Sequence, residues 1–274
     1  MATIRSDNYQ LVLSHYTQLL SEHYTWTFGN ADAKYNTNHA LLEKYLPIIN
    51  TDQISKHNQQ ALDLGCGSGF QTIPLAKMGW QVTAVDLSQS LLDEIKQEAK
   101  RKSLEQNIAQ LVQGDLLGFA SLVTAKPFDT VVCMGDTLTH LADVQEVSHL
   151  FKNVFDALNA QGIFILQFRD LTKPLLDTDR FIQVRSDERT VFSCFLEWES
   201  FESPSGSDDR SGCRIRVHDL VHVKKGIGAW ELCKSWYRKL GLTGRFVIDL
   251  LVKFGFTIVD AMDENGMITI VSRK

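Results

Sequence analysis

The sequence predicts an α/β chain built on a doubly wound sheet of parallel strands, and three observations lead to that expectation. Short apolar runs at residues 61–64, 81–86, 108–112, 128–134 and 163–168 alternate with helical patterns. The first run ends in Gly65-Cys66-Gly67-Ser68-Gly69 and flows into a helix. The second ends on the carboxylate of Asp86. A strand, a tight turn and a helix start bring backbone N–H groups and the positive end of the helix to one point. In a parallel-sheet unit the next strand ends beside that point, where Asp86 is placed for a ribose diol. The unit reads as a nucleoside-cofactor site.

Glycine spacing narrows the choice of nucleoside. Nicotinamide and flavin sites use G-x-G-x-x-G, whereas the order here is Gly65-x-Gly67-x-Gly69, and Phe70 stands where the third glycine belongs. No Gly-Lys-Ser/Thr follows, which excludes a Walker loop. Asp63, just before the turn, would repel a pyrophosphate and attract an ammonium. A nucleoside without phosphates that carries an amino-acid tail fits these residues. The stretch Asp63-Leu64-Gly65-Cys66-Gly67-Ser68-Gly69 resembles the glycine motif of the class I S-adenosylmethionine-dependent methyltransferases. The resemblance implies a Rossmann-like, seven-stranded, mostly parallel sheet with helices on both faces. It also implies S-adenosylmethionine as cofactor, with the glycine turn around its amino-acid tail and Asp86 and Leu87 at the ribose.

The 274 residues, 44% hydrophobic and 22% charged, suffice for one sizeable core or a core with a modest insertion. A net charge of -5 argues against general nucleic-acid binding, which calls for a basic surface. The cysteines, Cys66, Cys133, Cys194, Cys213 and Cys233, form no close pair and read as reduced and mostly buried. No long charge-free apolar segment suits a membrane, and residues 1–10 lack the apolar core of a signal peptide. The expected compartment is the cytoplasm.

Residues 8–22 place Tyr9, Val12, Leu13, Tyr16, Leu19 and Leu20 at helical intervals, and residues 38–45 resume with Leu41, Leu42 and Tyr45. Between them His23-Tyr24-Thr25-Trp26-Thr27-Phe28-Gly29 alternates aromatic and polar groups. That segment either pins itself to the core or folds as a water-excluding lid, with Tyr24 and Trp26 bracketing a cationic or flat acceptor. Residues 50–60 are polar and read as the loop entering the core.

Residues 70–78 form the next helix, and Ser88 caps a long one at 91–105 with Leu91, Leu92, Ile95, Ala99 and Leu104 inside. The third strand ends in Gly114-Asp115-Leu116. Asp115 is either a solvated turn aspartate or, as the family resemblance favours, a partner of the adenine amino group. The fourth strand delivers Gly135-Asp136-Thr137-Leu138-Thr139-His140 to the same sheet edge, where a methyl acceptor would approach. Asp136 and His140 are either a cap and a surface group or catalytic, His140 as base and Asp136 orienting it or the substrate. A helix at 144–158 exits at Gly162, and the fifth strand ends in Arg169-Asp170. That pair is a structural ion pair or an anchor for an anionic group on the acceptor.

Beyond residue 170 the pattern changes to strands alone, at 180–184, 191–202, 214–224 and 229–238. They read as an antiparallel insertion on the cofactor side of the sheet, interrupted by a polar, mobile loop at 203–212. His218 and His222 lie four apart, but no Cys, Asp or Glu joins them at ligand spacing, so no metal is expected. A helix at 243–254 and strands at 257–261 and 267–271 close the chain, where the resembled family places a reversed terminal strand. The expected division is an N-terminal helical lid at 1–57, a methyltransferase core at 58–170 and 241–274, and an antiparallel cap at 171–240. No Asn/Asp-Pro-Pro-Tyr/Phe follows the fourth strand, which argues against methylation of a nucleic-acid base. The expected activity is methyl transfer to a small molecule. A protein or RNA methyltransferase and a non-catalytic binding module are the alternatives.

Overall fold

A computed structural model of the chain describes residues 7–47, 59–125, 127–199, 209–226 and 228–274. The entry loop over 50–58 and the polar loop over 203–208 lie outside the described residues. The chain opens with α1 (Asp7–His15), a π turn (Tyr16–Leu20), α2 (Ser21–Thr27) and α3 (Ala31–Glu43). Then follow β1 (Gln60–Leu64), α4 (Thr72–Lys77), β2 (Gln81–Asp86), α5 (Gln89–Arg101), β3 (Ile108–Gln113), α6 (Phe119–Leu122) and β4 (Phe128–Cys133). A 3-10 turn (Thr137–His140) leads to α7 (Val144–Ala157) and β5 (Leu158–Arg169). The chain continues with β6 (Phe181–Ser186), β7 (Thr190–Trp198), β8 (Arg214–Lys225) and β9 (Ala229–Leu240), and ends with α8 (Gly244–Lys253), β10 (Thr257–Glu264) and β11 (Met267–Arg273).

The chain divides into two compact units, one of Asn30–Leu138, Gln145–Arg169 and Val247–Lys274, the other of Met1–Gly29, Thr139–Val144 and Asp170–Phe246. The first holds a seven-stranded sheet in the order β10-β11-β5-β4-β1-β2-β3. β1 to β5 run parallel, and β11 lies antiparallel beside β5, as the resemblance implied. Alternate residues of a strand face opposite sides of a sheet. Ile165 of β5 joins Leu42 of α3, Leu75 of α4, Ala61 and Val132 in one buried cluster. Its neighbour Phe164 meets Phe151 of α7 on the other side, with ring centroids 5.9 Å apart. Helices thus cover both faces, which is why the strands read as continuous apolar runs. From β1 the chain winds outward to β2 and β3, then returns to β4 and β5 on the other side. The ends of β1 and β4 form the switch point at which such sheets bind ligands.

Element boundaries differ from expectation most clearly at α5 and β5. α5 stops at Arg101, because Ser103 takes a left-handed φ of 57°. β5 begins at Leu158 and absorbs an irregularity against β4, with Phe128 opposite Leu158 but Thr130 opposite Ile163. Gly162 therefore lies within the strand and does not end the helix.

The second unit holds an antiparallel sheet in the order β6-β7-β8-β9. α1, the π turn and α2 form one unbroken helical run, so the aromatic segment 23–28 is helical through Thr27. Sequence alternation there mimics period two, but Leu19 and Leu20 bury against Phe192 and Val221 of the sheet and carry Tyr24 and Trp26 with them. Gly29, at φ 76°, ends the run, and the Asn30 side chain accepts the N–H of Ala33 at 3.1 Å to start α3. The unit boundary falls there, inside the segment 1–57 that the sequence presents as one piece. Along β8, Ile215, Val217, Asp219 and Val221 are buried while Arg216, His218, Leu220 and His222 are half-buried. His218 Nε2 lies 2.6 Å from Glu197 Oε2.

Candidate active site

The glycine turn is fastened to the end of β2. Gly65 and Cys66 donate their N–H groups to Val85 O at 2.8 and 3.1 Å, and Gly69 donates to Cys66 O at 2.9 Å. Asp86 accepts the Gly67 N–H on Oδ2 and the Ser88 N–H on Oδ1, both at 2.8 Å. Burial pushes the Asp86 carboxyl above its ordinary range, against the pull of the Ser88, Gly67 and Leu87 N–H groups. The third strand joins at the same point, Gly114 donating to Asp86 O at 2.9 Å and Gln113 Nε2 to Leu87 O at 3.1 Å. Asp115 accepts the Leu117 N–H at 2.9 Å, and both Asp115 and Leu116 stay half-buried.

Most of the N–H groups that suggested an anion cradle are thus engaged inside the turn. What the turn offers is acceptor oxygen and buried carboxyl, a donor-seeking surface that fits hydroxyls and a cation and rejects a phosphate. An S-adenosylmethionine molecule has both a ribose diol and positive charge, so the residues fit it. Asp63 departs from its expected place. It is fully buried, and Oδ2 accepts the Thr72 hydroxyl at 2.6 Å, tying β1 to α4 instead of presenting charge to an ammonium. Burial, reinforced by the charge of Asp86, pushes its carboxyl up to about 7.

Gly135, at φ 68°, turns the chain after β4, and Thr137 then reaches back. Its hydroxyl lies 3.2 Å from Gly65 O and 3.1 Å from Met134 O, closing the switch point between β1 and β4. Asp136 accepts the Arg169 N–H at 3.0 Å, and its Oδ2 lies 3.7 Å from Arg169 Nε. Arg169 is therefore paired with Asp136, while the adjacent Asp170 accepts from Thr172 N and Oγ1.

Three predicted residues belong to the second unit. Trp26 donates its indole N–H to Asp187 at 2.9 Å, and the Arg185 guanidinium sits 5.0 Å over its ring. Tyr24 packs against Phe28 and Tyr16, with centroids 5.2 and 6.3 Å away. The His140 carbonyl accepts from Asn8 Nδ2 at 2.8 Å, and its Nε2 lies 3.5 Å from Tyr16 Oη.

Sequence reasoning missed Thr72, Thr137, Tyr35 and Asn38. Asn38 donates to Phe70 O at 2.9 Å and the Tyr35 ring lies 5.6 Å from that of Phe70, so α3 braces the turn from behind. The signal was present: Tyr35, Asn38 and Leu42 fall on one helical stripe, and a polar residue inside such a stripe needs a buried partner.

An open α/β sheet with an acceptor-rich glycine turn at its switch point defines a nucleoside-dependent transferase of the methyltransferase class. Residues 61–162 match the family described as Methyltransferase domain. A provisionally named methyltransferase of Geobacillus sp. (strain WCH70) is 30% identical over 194 residues, 68% of this chain and 74% of the relative. A ubiquinone biosynthesis O-methyltransferase of Rickettsia prowazekii (strain Madrid E) is 27% identical over 145 residues, 53% of this chain and 54% of its own length. The chain thus spans about half of that relative. An S-adenosylmethionine-bound amino pentose methyltransferase from Micromonospora echinaspora shares the fold, with a TM-score of 0.59 at 14% identity over 93% of this chain and 96% of the other. The chain belongs to the class I S-adenosylmethionine-dependent methyltransferases, and S-adenosylmethionine is its cofactor. No helix among the described residues is long and apolar enough to cross a membrane.

Proposed function

We propose that this methyltransferase acts on a small-molecule acceptor. The observation that carries the reading is the end of β4, where Gly135-Asp136-Thr137 replaces a base-methylating motif and Asp136 is paired with the Arg169 at the end of β5. The similarity to a ubiquinone biosynthesis O-methyltransferase and an amino pentose methyltransferase supports the same class of acceptor. The cysteine spacing read in the sequence suits a reducing compartment, and we assign the chain to the cytoplasm.

The bound cofactor supplies an activated sulfonium methyl. The protein then has to orient the nucleophile, exclude water and remove a proton where the acceptor carries one. Asp86 holds the ribose diol, Gly65, Gly67 and Gly69 let the backbone approach the amino-acid tail with Cys66 and Ser68 between them, and Asp115 faces adenine. Arg169, half-exposed, grips an anionic group on the acceptor, and His140 is the proton acceptor. Asp86→Ala removes a charge-assisted acceptor and should weaken cofactor binding by about 1.5–3 kcal/mol in calorimetry. Unchanged affinity would remove Asp86 from the ribose.

The test of the acceptor class is a screen of small amines, acids and phenols for S-adenosylhomocysteine production by the purified protein. Turnover of an anionic small molecule is the expected result. With that acceptor, Arg169→Ala should raise KM severalfold at unchanged kcat, as loss of uniform binding does. Turnover confined to protein or RNA would replace the reading.

A further inference from the structure

Asp63 is a buried titratable group for which the reading above has no use. It lies near the end of β1, two residues before the glycine turn, and is fully enclosed. Oδ2 accepts the Thr72 hydroxyl at 2.6 Å, but Oδ1 is sealed from solvent with no hydrogen-bond partner. Buried carboxyl oxygens are nearly always satisfied, so a half-satisfied carboxyl beside a ligand-binding turn calls for a functional reason.

The groups that face it all belong to the seven-stranded unit. They are the Asp86 carboxyl at the end of β2, the Cys66 thiol in the turn, the Cys133 thiol at the end of β4 and Thr72 on α4. Burial pushes both thiols up, so they stay neutral. Among the described groups acting on Asp63 none is a cation. Burial first, then the charge of Asp86, pushes its own carboxyl up to about 7, against the pull of Thr72. An ionised Asp63 thus has no counter-charge inside the chain. Positive charge brought to the turn by a ligand supplies one, and in a low-dielectric interior it acts without contact.

The two molecules that pass through the site differ by one unit of charge. When the methyl leaves S-adenosylmethionine, the electron pair of the broken C–S bond stays on sulfur, and the sulfonium becomes the neutral thioether of S-adenosylhomocysteine. Adenine, ribose and amino-acid tail are the same in both. We propose that Asp63 is a specificity-determining residue that tells the methyl donor from its demethylated product by charge. It gives up its proton to bulk water when the sulfonium-bearing molecule binds, and takes one back after the sulfur is neutralised. The turn thereby holds the donor more tightly than the product and favours product release. The inference rests on the glycine turn holding the cofactor.

The test is titration calorimetry of the purified full chain at pH 6, in buffers of different ionisation enthalpy, which counts the protons exchanged on binding. An amino-acid ammonium titrates near about 7.7–8.0 and stays charged in both ligands at that pH. S-adenosylmethionine should release about 0.5–0.9 proton and S-adenosylhomocysteine less than half as much. The preference for the donor should rise by up to about tenfold between pH 5.5 and 7.5. Protons released by Asp86 through the shared ribose appear equally with both ligands, so the difference reports the sulfur charge. Asp63→Asn should lose the difference and flatten the pH profile. Thr72→Val removes a hydrogen bond that favours the ionised carboxyl, so it should move the profile up by about 0.5–1 pH unit. That second variant decides the matter where the Asn variant binds neither ligand. Equal proton counts for the two ligands, or a difference that survives in Asp63→Asn, overturns the inference and leaves the cofactor reading standing. Binding of neither ligand by the parent overturns both.

Discussion

Gly65→Ala is expected to abolish cofactor binding at ordinary concentrations and to destabilise the fold by about 2–5 kcal/mol. Two penalties act together. The residue sits at φ +70°, where an L side chain is strained, and an added Cβ would lie 2.2 Å from Thr137 Cγ2 and 2.6 Å from Thr137 Oγ1. Relief requires Thr137 to leave the contacts it makes with Gly65 O and Met134 O, opening the switch point between β1 and β4. Calorimetry and urea unfolding measure the two effects. Adding Thr137→Ala should recover the steric part and leave the backbone part, so the double variant should be more stable than the single one. Parental affinity in Gly65→Ala would mean that the turn is not the cofactor's cradle.

The second large effect is a pH dependence. Asp63 is fully buried and its carboxyl is raised from 3.8 to about 7. The folded protein therefore holds a proton that the unfolded chain releases between those values, and this group withdraws stability as pH rises from about 4 through about 7. Each pH unit of the rise corresponds to about 1.4 kcal/mol, so the full penalty is on the order of 4 kcal/mol above neutrality. Asp63→Asn keeps an acceptor for Thr72 and has no charge to bury. In cofactor-free protein the variant should match the parent at pH 4 and exceed its stability at pH 8. Parallel stability curves across that range would show that Asp63 is ionised without penalty.

The parts of the fold legible in the sequence were those governed by local pattern. Continuous apolar strands, the glycines of the turn and the Ser88 cap, which accepts the Leu91 N–H at 3.4 Å, all follow from neighbours in the chain. The reversed β11 was legible only through the family resemblance. The aromatic stretch His23–Thr27 stayed open between two readings because its packing partners lie on β7 and β8, more than a hundred residues away. Asp86 was singled out because its carboxylate closes the strand beside the glycine turn, whereas Thr72 and Thr137 act through side-chain hydrogen bonds between elements that no spacing encodes. Asp63 was assigned to the ligand for its charge, and three-dimensional burial gave it to the protein interior instead.

The packing of the first helical run has a consequence for synthesis on the ribosome. Leu19 and Leu20 find their apolar partners in Phe192 and Val221, about 170–200 residues downstream. At about 5–20 residues per second, those partners emerge on the order of 10–40 s after the helix does. The seven-stranded unit in turn needs β10 and β11 before its sheet is complete. During that interval the helix has no tertiary face to rest on, and an isolated segment of this length is marginal in water. The apolar stripe at residues 12–20 is thus made long before the strands that cover it.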